Sequence, residues 1–149
     1  MSEEERVERA YWPNGNLKYE GPYKGRLLHG IVKRWFSNGQ IEFESPHING
    51  KRHGTFRFWN EEGKLLGSIE MDMGTGIYRT WHPNGILASE VYLIDGWHYG
   101  PWYIWASDGT LEQVSFTIKG RTVSKKKYLE ACEKDPTLPR LKISATTDP

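Results

Sequence analysis

Asn49 to Gly63 reads N-G-K-R-H-G-T-F-R-F-W-N-E-E-G. A turn pair leads to Gly54, a short alternating strand runs to Trp59, and a second turn ends at Gly63. Lys64 to Met71 then reads as the return strand. The rest of the chain copies this stretch. The turn glycines Gly15, Gly39, Gly63, Gly85 and Gly109 are spaced 24, 24, 22 and 24 apart. Four residues before each stands an aromatic, Tyr11, Trp35, Trp59, Trp81 or Trp105, and two residues after each an aliphatic, Leu17, Ile41, Leu65, Leu87 or Leu111. A second column, Gly30, Gly54, Gly76 and Gly100, marks the opposite end of each unit. The third unit is two residues short, in Met73-Gly74-Thr75-Gly76. Columns that agree on one period identify an internal repeat, which outranks any local motif.

Aromatic and β-branched runs separated by Gly, Pro, Asn and Asp read as strands and turns. Inbound strands are expected at 31–35, 55–59, 77–81 and 101–105, with a weaker one at 7–11. Return strands are expected at 17–23, 41–48, 65–71, 87–94 and 111–118. Links this short force antiparallel neighbours. The predicted fold is all-β, an extended antiparallel meander of about five 22–24-residue β-hairpin repeats with a short C-terminal capping helix. Pro13-Asn14-Gly15 and Pro83-Asn84-Gly85 suit a three-residue loop in which Gly takes the left-handed position. That loop sets Trp35 against Ile41, Trp59 against Leu65 and Trp81 against Leu87. On the other face it sets Phe58 against Leu66 and Arg34 against Glu42. A one-residue error would exchange the faces.

The chain divides into a leader (1–6), the repeat domain (7–120), a helix with further cover (121–143) and a loose tail (144–149). Ser124 suits an N-cap, Val123 and Tyr128 a hydrophobic staple, and Pro136 a stop. Tyr128, Leu129 and Cys132 form the apolar stripe, which should lie along the open edge of the last strand. Lys plus Arg is 20, Asp plus Glu 19 and the formal charge +1, so no global field draws the chain to nucleic acid or membrane. Cys132 is the only cysteine, which rules out an internal disulfide and a cysteine-rich metal site. An apolar segment after Met1 is lacking, so a cytoplasmic protein is expected.

The segments G-K-R-H-G-T-F-R-F-W-N-E-E-G-K-L and D-G-W-H-Y-G-P-W-Y-I-W-A-S-D-G-T-L resemble the variant MORN repeat, and more specifically bacterial proteins labelled YwqK-type antitoxin components. The likeness covers roughly residues 8–120. It implies a sheet of hairpins and a scaffolding or partner-binding role without enzyme activity.

The candidate sites are therefore surfaces. Trp35, Trp59, Trp81 and Trp105 should lie on one face, either packing on the aliphatic column or offering an aromatic face to a protein partner. Arg57 and Arg79 stand two residues before Trp59 and Trp81, and Arg9 and Lys33 extend them into a basic strip. That strip grips an acidic partner or keeps the face soluble. On the opposite face Phe56 and Phe58 are strongly apolar, Trp102 with Ile104 is apolar again, and Phe116 and Ile118 add to the late end. If left uncovered, Phe56 and Phe58 would serve a homodimer or another partner. Nucleic acid fits poorly, given the interspersed Glu20, Glu42, Glu44 and Glu90. A structural or anionic-membrane adaptor using Lys51, Arg52, Lys125, Lys126 and Lys127 is the lesser reading. His29, His47, His53, His82 and His98 are spread by the period and read as turn residues, so no metal or cofactor is expected. No constellation of residues points to catalysis.

Overall fold

The structure, a computed structural model, describes residues 4–141. At one end of every unit the glycine of the turn, Gly15, Gly39, Gly63, Gly85 or Gly109, takes φ between 85° and 92°. This left-handed conformation is steric strain for other residues and free for Gly. It lets the Gly15 N–H donate to Trp12 O at 2.9 Å and the Gly85 N–H to His82 O at 2.9 Å. The strands joined by these and the opposite turns are β1 (Glu5–Tyr11), β2 (Leu17–Lys24), β3 (Leu27–Leu28), β4 (Gly30–Trp35), β5 (Ile41–Ile48), β6 (Lys51–Arg52), β7 (Gly54–Trp59), β8 (Leu65–Met71), β9 (Gly76–Trp81), β10 (Leu87–Ile94), β11 (Trp97–Trp105), β12 (Leu111–Ile118) and β13 (Arg121–Val123). Among the described residues they precede one helix, α1 (Lys125–Lys134). The all-β hairpin meander is what the period demands, and the short C-terminal helix follows it as the Ser124 cap and the Pro136 stop imply. β1 already begins at Glu5, inside the expected leader. Residues 1–3 and the expected tail at 144–149 lie outside the described residues.

Trp35 stands opposite Ile41, Trp59 opposite Leu65, Trp81 opposite Leu87 and Trp105 opposite Leu111, as the three-residue loop requires. One step further in, the expected pairs are corrected. A bulge follows each aromatic, so Phe58 faces Gly67 rather than Leu66, and Arg34 faces Phe43 rather than Glu42. The return strand carries one extra residue there, which raises the local twist. Arg34 Nε still lies 3.1 Å from Glu42 Oε2, as an ion pair.

The meander is also not one sheet. The order β1-β2-β4-β5-β7-β8, with β3 on β2 and β6 on β5, forms the first sheet, and β13-β12-β11-β10-β9 forms the second. The break falls at the two-residue deletion. In full-length units the residues before the repeat glycine form β3 or β6; here only an isolated Asp72–Thr75 bridge remains. Turn-to-turn bonds hold the units together across the break. At one end Asn14, Asn38, Asn60 and Asn84 each donate Nδ2 to a carbonyl of the next turn, those of Ser37, Glu61, Pro83 and Ser107, at 2.8–3.2 Å. At the other end Gly74 N donates to Arg52 O at 2.7 Å and Gly96 N to Gly74 O at 2.9 Å. His29 and His53 serve this second ladder, their Nδ1 atoms accepting from Asn49 N at 3.2 Å and Met73 N at 3.1 Å. They are turn residues, as the period implies.

The break brings the apolar faces of the two sheets together. Phe56, Ile69 and Met71 of the first sheet form one buried cluster with Val91 and Leu93 of the second, with Phe58, Tyr78, Trp81 and Trp102 packed around it. The expectation that Phe56 stays uncovered is thereby corrected: it is 1% exposed. A repeat sheet that turns on itself makes its own core where a straight one would leave the face open.

A second cluster lies on the other side of the second sheet. Phe116, Tyr128, Cys132 and Leu138 are buried, with Val114, Ile118 and Val123 against them. Ser124 caps α1 by accepting from Lys127 N at 3.1 Å. The stripe is Tyr128 and Cys132, while Leu129 is 43% exposed. The helix was expected on the open edge, but β13 pairs with β12 there. This frees α1 to cover the face of Val114 and Phe116. Phe116 pairs with Pro101 and Trp102 with Ser115, so Phe116 and Trp102 belong to opposite faces and to different clusters.

Candidate functional site

Three of the four tryptophan positions carry different jobs. Trp81 ends β9 beside a turn, and its ring leans over the core face, where its centroid is 5.5 Å from that of Phe58. Trp105 instead stacks on Tyr103 of its own strand, with centroids 5.5 Å apart and planes 20° apart. Trp35 offers its carbonyl to the Trp12 Nε1–H at 3.0 Å. The column shares a register, but the Trp81 and Trp105 rings turn to different neighbours, Phe58 and Tyr103. The space for the Trp81 ring is made by Gly67 of the third unit. The equivalent positions are Tyr19, Phe43, Ser89 and Gln113 in the other units.

Trp59, Trp81 and Phe58 do meet in one place. Together with Phe36, Phe43 and Leu66 they line an open groove of about 600 Å³ at the turn end of units two to four. Phe43 and Phe58 form its aromatic floor, with centroids 6.3 Å apart. Glu42, Glu61 and Glu62 also border it. Glu61 and Glu62 are exposed turn residues, free of ion pairs within 4.0 Å among the described residues, whereas Glu42 is held by Arg34. The groove thus combines a half-buried apolar floor with an acidic rim. Sequence reasoning found Phe58, Trp59 and Trp81. It missed Phe36, Phe43, Leu66 and the three glutamates, whose only sequence signal is the adjacency of Trp35 to Phe36 and the Glu61-Glu62 turn.

Arg57 and Arg79 point away from this groove and do not make a basic strip. In the first sheet Arg9 stands opposite Glu20, Glu20 opposite Lys33, Lys33 opposite Glu44 and Glu44 opposite Arg57. The row alternates in sign across five strands, each opposite-charge pair contributing about 0.2–1 kcal/mol. Arg9 Nε reaches Glu20 at 2.9 Å, and in the second sheet Arg79 Nε reaches Glu90 at 2.7 Å. Glu90 is 4% exposed, and a buried carboxylate needs such a partner. The cations are neutralised by the return strands, whose glutamates occupy the same face. Lys51 and Arg52 are likewise engaged: Lys51 Nζ bonds Asp95 Oδ1 at 2.8 Å, and the Arg52 guanidinium lies 5.4 Å from the Tyr78 ring centre.

Behind the groove, at the opposite end of the core, sit two histidines. His47 packs 6.0 Å from Phe56, and its Nδ1 is 2.9 Å from Ser45 O. His98 stands edge-on to Trp102 at 4.6 Å. Burial, and then the charge of Arg52, hold both imidazoles below the usual histidine pKa. No three His, Cys, Asp or Glu side chains among the described residues converge on a point that would hold a metal. Among the same residues no helix is long and apolar enough to cross a membrane.

The hairpins that build the groove are also the ones that comparison with known proteins picks out. Comparison with curated proteins returned no match. A family model described as a MORN repeat variant matches residues 7–24, 28–49, 52–72 and 75–95. These stretches are the pairs β1–β2, β4–β5, β7–β8 and β9–β10, and β11–β12 repeats their geometry as a fifth hairpin. The matched stretches cover more than half of the chain, which therefore belongs to the MORN repeat variant family.

Proposed function

We propose that this protein is a binding module that takes an extended peptide segment of another protein, apolar and positively charged, into the groove of Phe36, Phe43, Phe58, Trp59, Leu66 and Trp81. The observation that carries the reading is the pairing of that aromatic floor with an acidic rim whose Glu61 and Glu62 lack cationic partners among the described residues. Aromatic side chains supply large contact area, and they dominate interface energy when a ligand excludes water from them. The rim selects for Lys or Arg and raises the association rate. Neutralising or escorting a partner, the finer role implied by the resemblance to YwqK-type proteins, is this same docking carried out on a toxin-like protein in the cytoplasm.

The test is a fluorescence titration of the protein with extended peptides that alternate aromatic or aliphatic residues with Lys or Arg, beside counterparts carrying Asp or Glu. The basic set binds, the acidic set does not, and Trp59→Ala or a Glu61→Lys/Glu62→Lys double variant weakens binding while the thermal midpoint is retained. Equal binding of both sets, or indifference to all three substitutions, overturns the reading.

A further inference from the structure

Among the described residues β1 is the free edge of the first sheet, and all seven of its residues are exposed. The phase of its hydrogen bonds follows from one contact. Gly25 N–H donates to Glu4 O at 2.8 Å, and the register continues as Glu5–Lys24, Arg6–Tyr23, Val7–Pro22 and Glu8–Gly21. Bonded and non-bonded pairs alternate along an antiparallel ladder. Glu4, Arg6, Glu8 and Ala10 therefore direct their backbone groups at β2, while Glu5, Val7 and Arg9 direct theirs outward. Pro22, which has no N–H to donate, sits opposite Val7 in agreement with this phase.

We propose that two copies of this chain dimerise by antiparallel pairing of their β1 strands, with Val7 on the two-fold axis. The charges of Glu5-Arg6-Val7-Glu8-Arg9 invert about Val7, each acidic position mirroring a basic one. Pairing there places Glu5 against Arg9 of the second copy, Arg6 against Glu8, and Val7 against Val7. The residues that would bond, Glu5, Val7 and Arg9, are the ones whose backbone groups already point outward. A slip of one residue takes the bonding groups out of phase. A slip of two sets Arg6 against Arg6 or Glu8 against Glu8, and like charges directly opposite are unfavourable. Charged residues on an edge ordinarily discourage pairing; here only one in-phase register escapes the repulsion.

The dimer also extends the ladder of alternating sign. The row Arg57, Glu44, Lys33, Glu20, Arg9 continues into Glu5 of the second copy and then into Lys24, which stands opposite Glu5 within each chain. No buried group has to be uncovered, since nothing in β1 is buried. A two-fold axis perpendicular to β1 makes the contact self-complementary and closed. The groove of units two to four lies several strands from this edge, so the inference is independent of the proposed peptide site.

Sedimentation velocity over a dilution series at low salt tests it. Wild type sediments as a dimer that dissociates on dilution. Val7→Pro removes the two central N–H donors without touching a bond to β2, and it sediments as a monomer with its thermal midpoint retained. Glu5→Lys and Arg9→Glu each place two like-charge pairs in the homodimer and raise its dissociation constant about tenfold or more. An equimolar mixture of the two variants recovers the dimer, because each introduced charge then faces its opposite. A wild type that is monomeric throughout, a dimer that Val7→Pro leaves intact, or a mixture that stays monomeric overturns the proposal.

Discussion

The indole of Trp81 occupies the space in which a side chain at position 67 would stand: a Cβ on Gly67 would lie 2.3 Å from Trp81 Cζ2 and 2.4 Å from Cε2. Gly67 has no left-handed backbone demand, so its role is room for the ring. Gly67→Ala forces the indole off the Phe58 side of the core and destabilises the fold by about 1–3 kcal/mol. In a Trp81→Leu background the same substitution costs markedly less. Chemical denaturation of the four proteins of this double-mutant cycle measures the coupling, and additive costs would show that the two residues are not in contact.

Phe56 and Trp59 lie three residues apart on β7 and respond oppositely to truncation. Phe56 is 1% exposed at the centre of the core that joins the sheets. Phe56→Ala leaves a cavity there and costs about 3–5 kcal/mol. Trp59 is only half-buried at the groove, so Trp59→Ala moves the urea midpoint far less while it weakens peptide binding. Equal midpoint shifts would place Trp59 in the core.

Acid destabilises the fold through His47 and His98. Both are held below the usual pKa of 6.5 in the folded state, first by burial and then by Arg52. The unfolded chain therefore binds protons that the folded chain resists. Stability contributed by the neutral imidazoles is fully present above about pH 6.5, and it is lost as the pH falls toward the folded values. His47→Gln and His98→Gln each flatten the fall in thermal midpoint between about pH 7 and 5. A wild-type midpoint that is level across that window would remove the histidines from the account. Arg52→Gln should raise both folded pKa values, and histidine ring NMR titration reads that shift directly.

Tyr128 fastens the C-terminal cover. Its ring is 0% exposed and sits 5.5 Å from Phe116, and its hydroxyl donates to Pro139 O. Burial first, and then the neighbouring Cys132, push its phenol pKa well above the usual value, so it keeps its proton. Tyr128→Phe removes the bond and leaves a carbonyl unpaired, at about 1 kcal/mol. Ser124→Ala removes the cap of α1 at a similar cost of about 1 kcal/mol. Cys132, 1% exposed on the buried face of the helix, reports the opening. Both variants speed its labelling by a thiol reagent under native conditions. A labelling rate equal to wild type would mean that neither contact holds the helix down.

The short-range features of this chain were legible without coordinates because their causes are local. Asn and Gly at fixed offsets can close only a few turn types, and two-residue alternation then assigns every strand residue to a face. That was enough to pair Trp35 with Ile41 and Trp59 with Leu65, and to place Phe56, Phe58 and Trp102 on one face, but it wrongly added Phe116 and Ile118, which lie on the other face of the second sheet. The bulge after each aromatic was harder, because it adds a residue without changing the period. β13 was hidden for a related reason: Arg121–Val123 is too short to show alternation.

The groove was only half legible. Aromatic columns mark which residues recur, but the direction of a ring depends on the volume left by its neighbours, and Gly67 decides that for Trp81. The basic strip failed for the same kind of reason, since the glutamates that neutralise it lie on other strands and meet it only through register.

Sequence alone determined the repeat, its hairpins and the aromatic–aliphatic register, all of which follow from turn sterics and the pleat over a few neighbouring residues. The tertiary structure decided what becomes of the faces. The two-residue deletion before Gly76 appears in the sequence only as an irregular spacing. In three dimensions it ends the hydrogen-bonded ladder between β8 and β9, lets Phe56, Ile69 and Met71 close on Val91 and Leu93, and leaves the groove at the turn end. Burial is set by the summed contacts of residues far apart in the chain, and no local pattern encodes that sum.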